Sequence, residues 1–137
     1  MISSELLKDA QRAGLRRLPA RTGLQDAAKA AGFAAFAADL GAAATLEAAF
    51  PILAQALDFP DWFGHNLDAL MDCLTDMSWA PARGYLLLLS GTAPLAKADP
   101  DGFASLLEVL AGAIEPWRED GIPFWVLADD PSLPDAA

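Results

Sequence analysis

The stretch GYLLLLSG, residues 84–91, decides the fold of this chain. It is an uninterrupted apolar run bounded by glycines, and such a run is typical of a strand that is covered on both faces. We therefore predict that residues 84–90 form the central strand of a β-sheet. The elements on either side of this strand then indicate what kind of sheet it is.

The chain after this strand predicts one long helix and one more strand. Asp99 and Pro100 provide an N-cap and a first-turn proline, and an apolar stripe with a helical period follows them. Residues 122–127 (IPFWVL) then predict a last buried strand. From Asp129 onward the chain is acidic and contains prolines, and we expect this tail to fray.

The chain before the central strand predicts a strand and a helix. Residues 33–40 are expected to be a strand by position, although their four alanines have a low β propensity. Thr45 is a good N-cap for a helix that carries apolar residues on one side as far as Leu57. Pro51 removes a backbone donor, so this helix is either kinked or regular only from about Phe50.

The first 32 residues predict three short elements: a helix over residues 4–13, an edge strand in LRRLP (residues 15–19) and a helix over residues 24–31. Strands and helices that follow one another along a chain, joined by right-handed crossovers, form a parallel sheet. The predicted fold class is therefore α/β. It consists of a small parallel β-sheet of three strands, with a possible extra N-terminal strand, packed with helices.

Charge and composition divide the chain into an N-terminal extension (residues 1–32), a domain (residues 33–128) and a flexible acidic tail (residues 129–137). The extension has six Lys or Arg and three acids, whereas the rest has three Lys or Arg and sixteen acids, for a net charge of −10. Between Lys29 and Arg83 there are seven acids and no Lys or Arg. Phosphate contacts need cations, so this charge argues against direct nucleic-acid binding and favours a basic protein partner.

Two features of the sequence bear on where the chain works. Its longest bulky apolar run, residues 86–89, is far shorter than the roughly 20 residues of a membrane-spanning helix, so we expect no membrane partner. The first residues lack the apolar core of a signal peptide, and the single cysteine, Cys73, has no internal partner for a disulfide. The expected location is therefore the cytoplasm.

The segment FPDWFGHNLDALMDCLTD, residues 59–76, carries the functional prediction. Asn66 is a good N-cap for a helix over residues 67–76, and Gly64 offers a left-handed corner before it. One face of this helix is apolar. A second face carries three carboxylates one turn apart, Asp68, Asp72 and Asp76, which we call the acidic row. The hydroxyl of Thr75 lies beside them. Like charges at this spacing cost roughly 0.2–0.5 kcal/mol per pair, so stability does not explain the acidic row.

The loop before this helix carries two large aromatics and a histidine. We expect Phe63 to lie in the core rather than at the surface, whereas Trp62 fits either place equally well. His65 with the acidic row raises the alternative of a metal site for phosphoester chemistry. The acidic row spans roughly 12 Å, too far to close on one ion, so we predict no metal and no catalytic residues.

The aromatic pair, Gly64 and the runs NLDAL (residues 66–70) and DCLT (residues 72–75) resemble the signature loop and helix of the barstar family, the intracellular inhibitors of the ribonuclease barnase. The resemblance continues more loosely from Phe33 to about Leu127. It implies a barstar-like fold and an acidic, antitoxin-like inhibitor that is not an enzyme and needs no cofactor. In this family the loop and the acidic helix cover the active site of the nuclease.

The resemblance also implies a role for individual residues. Asp72 is expected to enter the pocket where the substrate phosphate would lie, and Asp68 to add a second charge. Asn66 and Thr75 would make polar contacts, and Trp62 would supply a stacking or packing surface. The expected contact surface for a basic, barnase-like ribonuclease comprises Trp62, Phe63, Gly64, Asn66, Asp68, Asp72, Thr75 and Asp76.

Three residues depart from the family pattern. Met71 stands in place of an aromatic residue, Asp76 in place of a small one, and Pro116 in place of an acid for which Glu115 or Glu119 could substitute. These departures bear on the identity of the partner. They leave open an alternative, in which a barstar-fold interaction or regulatory module binds a different cationic protein.

Overall fold

The structure is a computed structural model that describes residues 4–19 and 23–136. In these two ranges the chain forms one four-stranded sheet and six helices. The strands are β1 (Leu15–Arg17), β2 (Ala34–Asp39), β3 (Tyr85–Ser90) and β4 (Phe124–Ala128). The helices are α1 (Ser4–Leu7), α2 (Leu24–Ala30), α3 (Leu46–Leu57), α4 (Leu67–Asp76), α5 (Ala93–Ala98) and α6 (Pro100–Glu119).

The sheet is parallel throughout, in the order β1-β4-β3-β2. Tyr85 of β3 lies opposite Ala34 of β2 on one side and Phe124 of β4 on the other, so β3 is an inner strand as predicted. Leu15 of β1 lies opposite Val126 of β4 at the edge. The predicted α/β class is therefore confirmed, and the possible extra N-terminal strand is present as β1.

The helices cover the sheet on both faces. Successive residues of a strand point to opposite faces, and in β3 Leu87 belongs to the larger hydrophobic cluster whereas Leu86 belongs to the smaller one. The larger cluster contains buried residues of α3, α4 and α6, and the smaller one contains buried residues of α1 and α2. The predicted contact surface therefore lies on the α3, α4 and α6 side of the sheet.

The N-terminal extension is bonded to the rest of the fold. The indole N–H of buried Trp125 donates to the carbonyl of Leu7 at 2.8 Å, and the guanidinium of Arg118 donates to the carbonyl of Ala13 at 2.6 Å. These bonds join the extension to β4 and α6. Residues 1–3 and 20–22 of the predicted extension lie outside the described residues.

The first helix is shorter than the sequence predicts. We expected it to span residues 4–13, but α1 ends at Leu7. The carboxylate of Asp9 accepts the backbone N–H groups of Gln11, at 3.0 Å, and Arg12, at 3.3 Å. An Asp that bonds to the backbone just ahead of it favours a turn over a helix, and this local competition ends α1 early.

Helix α3 continues through its internal proline. Thr45 caps it as predicted, because its hydroxyl oxygen accepts the N–H of Ala48 at 3.2 Å. The helix begins at Leu46, so the alternative of a regular helix starting only near Phe50 is wrong. Pro51 is exposed and does not end the helix, which carries four buried residues: Ala49, Phe50, Leu53 and Leu57. Core packing on both sides of Pro51 outweighs the backbone hydrogen bond that proline removes.

The C-terminal tail and helix α5 are linked. The carboxylate of Asp129 accepts the hydroxyl of Thr92 at 2.6 Å and the N–H groups of Thr92 and Gly91 at 3.0 Å and 2.7 Å. These bonds fix the start of α5, a helix that we did not predict. The tail also contacts β1: the carbonyl of Pro134 accepts the N–H of Arg17 at 2.7 Å, and the Arg17 side chain pairs with Asp135. The expected fraying of the tail stays a prediction. Residue 137 lies outside the described residues.

Candidate functional site

The start of α4 is held by one side chain. Asn66 caps the helix as predicted: its side-chain oxygen accepts the N–H of Ala69 at 2.7 Å, and its amide group donates to the carbonyl of Gly64 at 3.2 Å. The same amide therefore shapes both the loop and the first turn. Helix α4 has the predicted bounds, because the cap and the apolar spacing lie within one short segment.

The left-handed corner of this loop lies one residue later than predicted. His65 has a φ of 54°, whereas Gly64 is not among the residues with positive φ. The ring of His65 packs against Phe63, with 5.1 Å between the ring centroids. This contact helps to offset the cost of a left-handed residue that has a side chain. The predicted corner at Gly64 is wrong.

The inward face of α4 is fixed by the core. Leu70, Cys73 and Leu74 are buried, and the indole N–H of Trp117 on α6 donates to the carbonyl of Leu74 at 2.9 Å. Burial, with a smaller contribution from the negative charges of Asp72 and Asp76, raises the pKa of the Cys73 thiol to about 11. The thiol therefore stays protonated and packs as an apolar side chain.

The acidic row faces outward. Asp68, Asp72 and Asp76 are all exposed, and across residues 4–19 and 23–136 no Lys, Arg or His lies within 4.0 Å of their carboxylates. The hydroxyl of Thr75 donates to the carbonyl of Met71 at 2.8 Å, so it is bonded back into its own helix. Three negative charges on α4 are thus available to a partner.

The two aromatics of the loop have different surroundings. Trp62 is 56% exposed, whereas Phe63 is only 6% exposed. The ring of Phe63 lies 4.9 Å from that of Phe59 and 6.1 Å from that of Phe50, measured between centroids. Phe63 therefore anchors the loop to the core, as we predicted. Trp62 gives the loop a large exposed apolar surface.

A groove opens between α3 and α4 beside this loop. Its volume is about 680 Å³. It is lined by Leu46, Glu47, Phe50, Trp62, Gly64, His65, Asn66, Leu67, Asp68, Ala69 and Asp72. We call it the α3–α4 groove. Its lining includes five of the eight predicted contact residues: Trp62, Gly64, Asn66, Asp68 and Asp72. The other three, Phe63, Thr75 and Asp76, lie outside the lining. Glu47 and Leu46 join the lining from another helix, and sequence reasoning missed both.

Comparison with known proteins identifies the family. The model of the family described as Barstar (barnase inhibitor) matches residues 33–129. This chain belongs to the barstar family. A protein of Bacillus subtilis (strain 168) named "Putative ribonuclease inhibitor YrdF" is 70% identical over 23 residues, which are 17% of this chain and 25% of that protein. The chain thus matches about a quarter of the length of this curated relative.

The barstar family match does not include the N-terminal extension. It begins at residue 33, so α1, β1 and α2 lie before it, and β1 adds a fourth strand to the sheet of the matched region. The family is one of inhibitors, and the recognition made from the segment at residues 59–76 is confirmed. The division of the chain into extension, domain and tail stays a prediction.

Helix α6 places one acid beside α4 that the sequence pattern did not single out. Glu115 forms an ion pair with Arg118. Glu108, by contrast, lines a second groove between α4 and α6 together with Asp68 and Met71. Glu108 therefore lies beside Asp68 of the acidic row, and a contact role for Glu115 or Glu119 stays a prediction.

Two further observations concern a metal site and a membrane-spanning helix. Among the described residues, no three His, Cys, Asp or Glu side chains are placed to hold a metal ion, so His65 and the acidic row form no such cluster. Within the same part of the chain, no helix combines the length and apolar character that a membrane span requires.

Proposed function

We propose that this chain inhibits a basic ribonuclease by placing α4 and the loop before it over the active site of the enzyme. The observation that carries the proposal is the exposure of Asp68 and Asp72, one turn apart and without a cation from the described part of their own chain. Carboxylates of this kind can occupy sites that hold RNA phosphates, because both are acceptors for Arg and Lys. The chain itself performs no chemistry in this proposal.

The charge arrangement favours binding over stability. Asp68 and Asp72 repel each other at an i, i+4 spacing, which costs roughly 0.2–0.5 kcal/mol in the free protein. When one partner of a buried charge pair is removed from an interface, the loss is about 2–5 kcal/mol. This range comes from protein interfaces in general, those of barstar included, and is carried over to this chain. Removal of one of these carboxylates should therefore change binding much more than it changes stability.

The other residues of the predicted surface support this arrangement in different ways. Trp62 would pack against the enzyme, and Gly64 would let the loop backbone approach it. Asn66 would act mainly by holding the loop, because both ends of its amide are bonded within the chain. Thr75 would offer its remaining acceptor capacity, and Asp76 a third charge. The chain would act in the cytoplasm, where its one thiol stays reduced.

The test is an RNA-cleavage assay with a panel of purified basic ribonucleases that includes barnase. The native chain should stop cleavage by at least one of them, and Asp72→Asn should require on the order of 100-fold more protein to do so. Asp26→Asn is the matched control, because Asp26 is an exposed carboxylate on α2, which packs on the other face of the sheet. Asp26→Asn should inhibit like the native chain.

Two results would overturn the proposal. The first is a native chain that leaves every ribonuclease of the panel fully active. The second is equal inhibition by Asp72→Asn and the native chain. If no ribonuclease is inhibited but a different cationic protein binds through Asp72, the alternative of a barstar-fold interaction or regulatory module replaces inhibition.

A further inference from the structure

The α3–α4 groove combines three kinds of surface. Leu46, Phe50 and Leu67 give it apolar lining, and Trp62 adds an exposed aromatic face. Its carboxylates come from two helices: Glu47 from α3, and Asp68 and Asp72 from α4. Its volume of about 680 Å³ lies within the range of known ligand-binding pockets, so the groove is large enough to hold a whole side chain of a partner.

The charge of the groove selects a cation. Its lining contains three carboxylates and one histidine, but no Lys or Arg. Glu47 is exposed, and within residues 4–19 and 23–136 it has no ion-pair partner. A ligand that enters this groove with a positive charge meets carboxylates on two sides.

The position of Glu47 is fixed by the fold. The carboxylate of Asp99 accepts the N–H of Leu46 at 2.9 Å and the N–H of Gly102 at 3.0 Å. It thereby joins the first turn of α3 to the first turn of α6. Glu47 follows Leu46 directly, so the backbone that carries its charge is held in place before any partner binds. Such pre-organisation reduces the cost of binding.

An arginine fits this lining better than a lysine. Its aliphatic stem can lie on Leu46 and Leu67, and its planar guanidinium can stack on an indole ring such as that of Trp62. The five N–H donors of a guanidinium can reach two carboxylates at once, whereas an ammonium is a single point of charge.

We infer that the α3–α4 groove binds an arginine on a loop of the inhibited ribonuclease, and that Glu47 is the residue that selects it. This inference rests on the proposed function, because the occupant is part of the same enzyme. It adds a second contact, on α3, to the contact of Asp72 with the phosphate-binding cations. Glu47 would then distinguish ribonucleases that carry this arginine from those that lack it.

The test uses a ribonuclease that the native chain inhibits, with inhibition constants for variants of the full chain. Glu47→Gln should weaken inhibition about tenfold, and Trp62→Ala by a similar factor. Asp26→Asn is the control, since Asp26 is also an exposed helical acid but lies on α2, which packs on the other face of the sheet. It should change inhibition less than twofold. Thermal unfolding of each variant verifies that it folds.

The arginine itself is identified from the enzyme side. Each exposed arginine near the active site of the ribonuclease is changed to alanine, and the effect of Glu47→Gln is measured again. One such change should reduce that effect to less than twofold. If Glu47→Gln inhibits like the native chain, or if no arginine change alters its effect, the inference is wrong while the proposed function stands. If the native chain inhibits no ribonuclease, both are wrong.

Discussion

Asp99 and Asp129 differ from Asp68 and Asp72 in what surrounds their carboxylates. Asp99 accepts two backbone N–H groups, and Asp129 accepts two backbone N–H groups and a hydroxyl. The carboxylates of Asp68 and Asp72 accept no hydrogen bond from any described residue. All four are acids in a chain that is already strongly negative. The first pair is bonded into the fold, whereas the carboxylates of the second pair are exposed and have no hydrogen bond or ion pair with a described residue.

The difference separates acids that stabilise the fold from acids that we propose to bind a partner. An Asp that satisfies backbone donors where two elements meet stabilises the fold, and its removal leaves those donors without a partner. An Asp in a row of like charges satisfies no backbone donor, so its removal leaves no donor without a partner. The comparison therefore predicts opposite consequences for substitutions of the same residue type.

The largest expected effect is that of Asp72→Ala on binding. We expect inhibition of the ribonuclease to weaken on the order of 100-fold, about 2.8 kcal/mol, because the cations that meet Asp72 are left unpaired. The free energy of unfolding should stay within about 0.5 kcal/mol of the native value. Inhibition assays and urea unfolding measure the two quantities. A loss of stability that matches the loss of binding would erase the distinction between the two pairs.

The second effect is that of Asp99→Ala on stability. Removal of this carboxylate leaves the N–H groups of Gly102 and Leu46 without their partner, and we expect about 1–3 kcal/mol less stability in urea unfolding. Asp101→Ala is the control, because Asp101 is exposed in the same first turn of α6. Equal losses in both variants would show that helix charge, and not the bonds of Asp99, is responsible.

The third effect is a pH dependence that belongs to Asp129. Burial acts to raise its pKa, but the hydrogen bonds from Thr92 and Gly91 outweigh burial and lower it. A carboxylate with a lowered pKa in the folded state adds stability above its unfolded pKa of about 3.9, and this stability is lost as the pH falls through the folded pKa.

Unfolding in urea from about pH 5 down to about pH 3 measures this contribution, since the loss of stability begins near the unfolded pKa of about 3.9. Asp129→Asn should lose less stability over the window than the native chain. Asp26→Asn, which removes an acid without hydrogen bonds to described residues, should follow the native chain. Identical acid profiles for all three proteins would contradict the assignment.

The smallest effect is expected at the end of the acidic row. Asp76 is the last residue of α4, where the helix dipole disfavours a negative charge, and it lies one turn from Asp72. Asp76→Asn should therefore raise the free energy of unfolding by about 0.3–0.5 kcal/mol at low salt, and less at high salt. Asp101→Asn in the first turn of α6 should act in the opposite direction, since a negative charge is favoured there.

The sequence predicts best where the determinants are local. The bounds of α4 and the cap at Asn66 follow from about a dozen consecutive residues, and the structure confirms both. The exposure of the acidic row follows from the same helical spacing, because the apolar face must turn inward. The family resemblance rests on this same segment, which is why it could be recognised without a structure.

The sequence predicts least where distant residues decide. Helix α5 begins beside Thr92, whose hydroxyl bonds to Asp129 instead of capping the helix, and this partner lies 37 positions away. The place of Glu47 in the groove depends on the bond between Leu46 and Asp99, which are 53 positions apart. The sequence reveals Asp99 as an N-cap, but its second bond depends on how α3 and α6 pack.

The surroundings of the four tryptophans give the protein an optical reporter of its own. The indole N–H groups of Trp79, Trp117 and Trp125 donate to backbone carbonyls, whereas Trp62 is 56% exposed beside the carboxylates of α4. The fluorescence of Trp62 should be quenched more readily by caesium than by iodide, because the surrounding negative charge attracts cations and repels anions. A bound enzyme would shield it from both ions, so occupancy could be followed without a label.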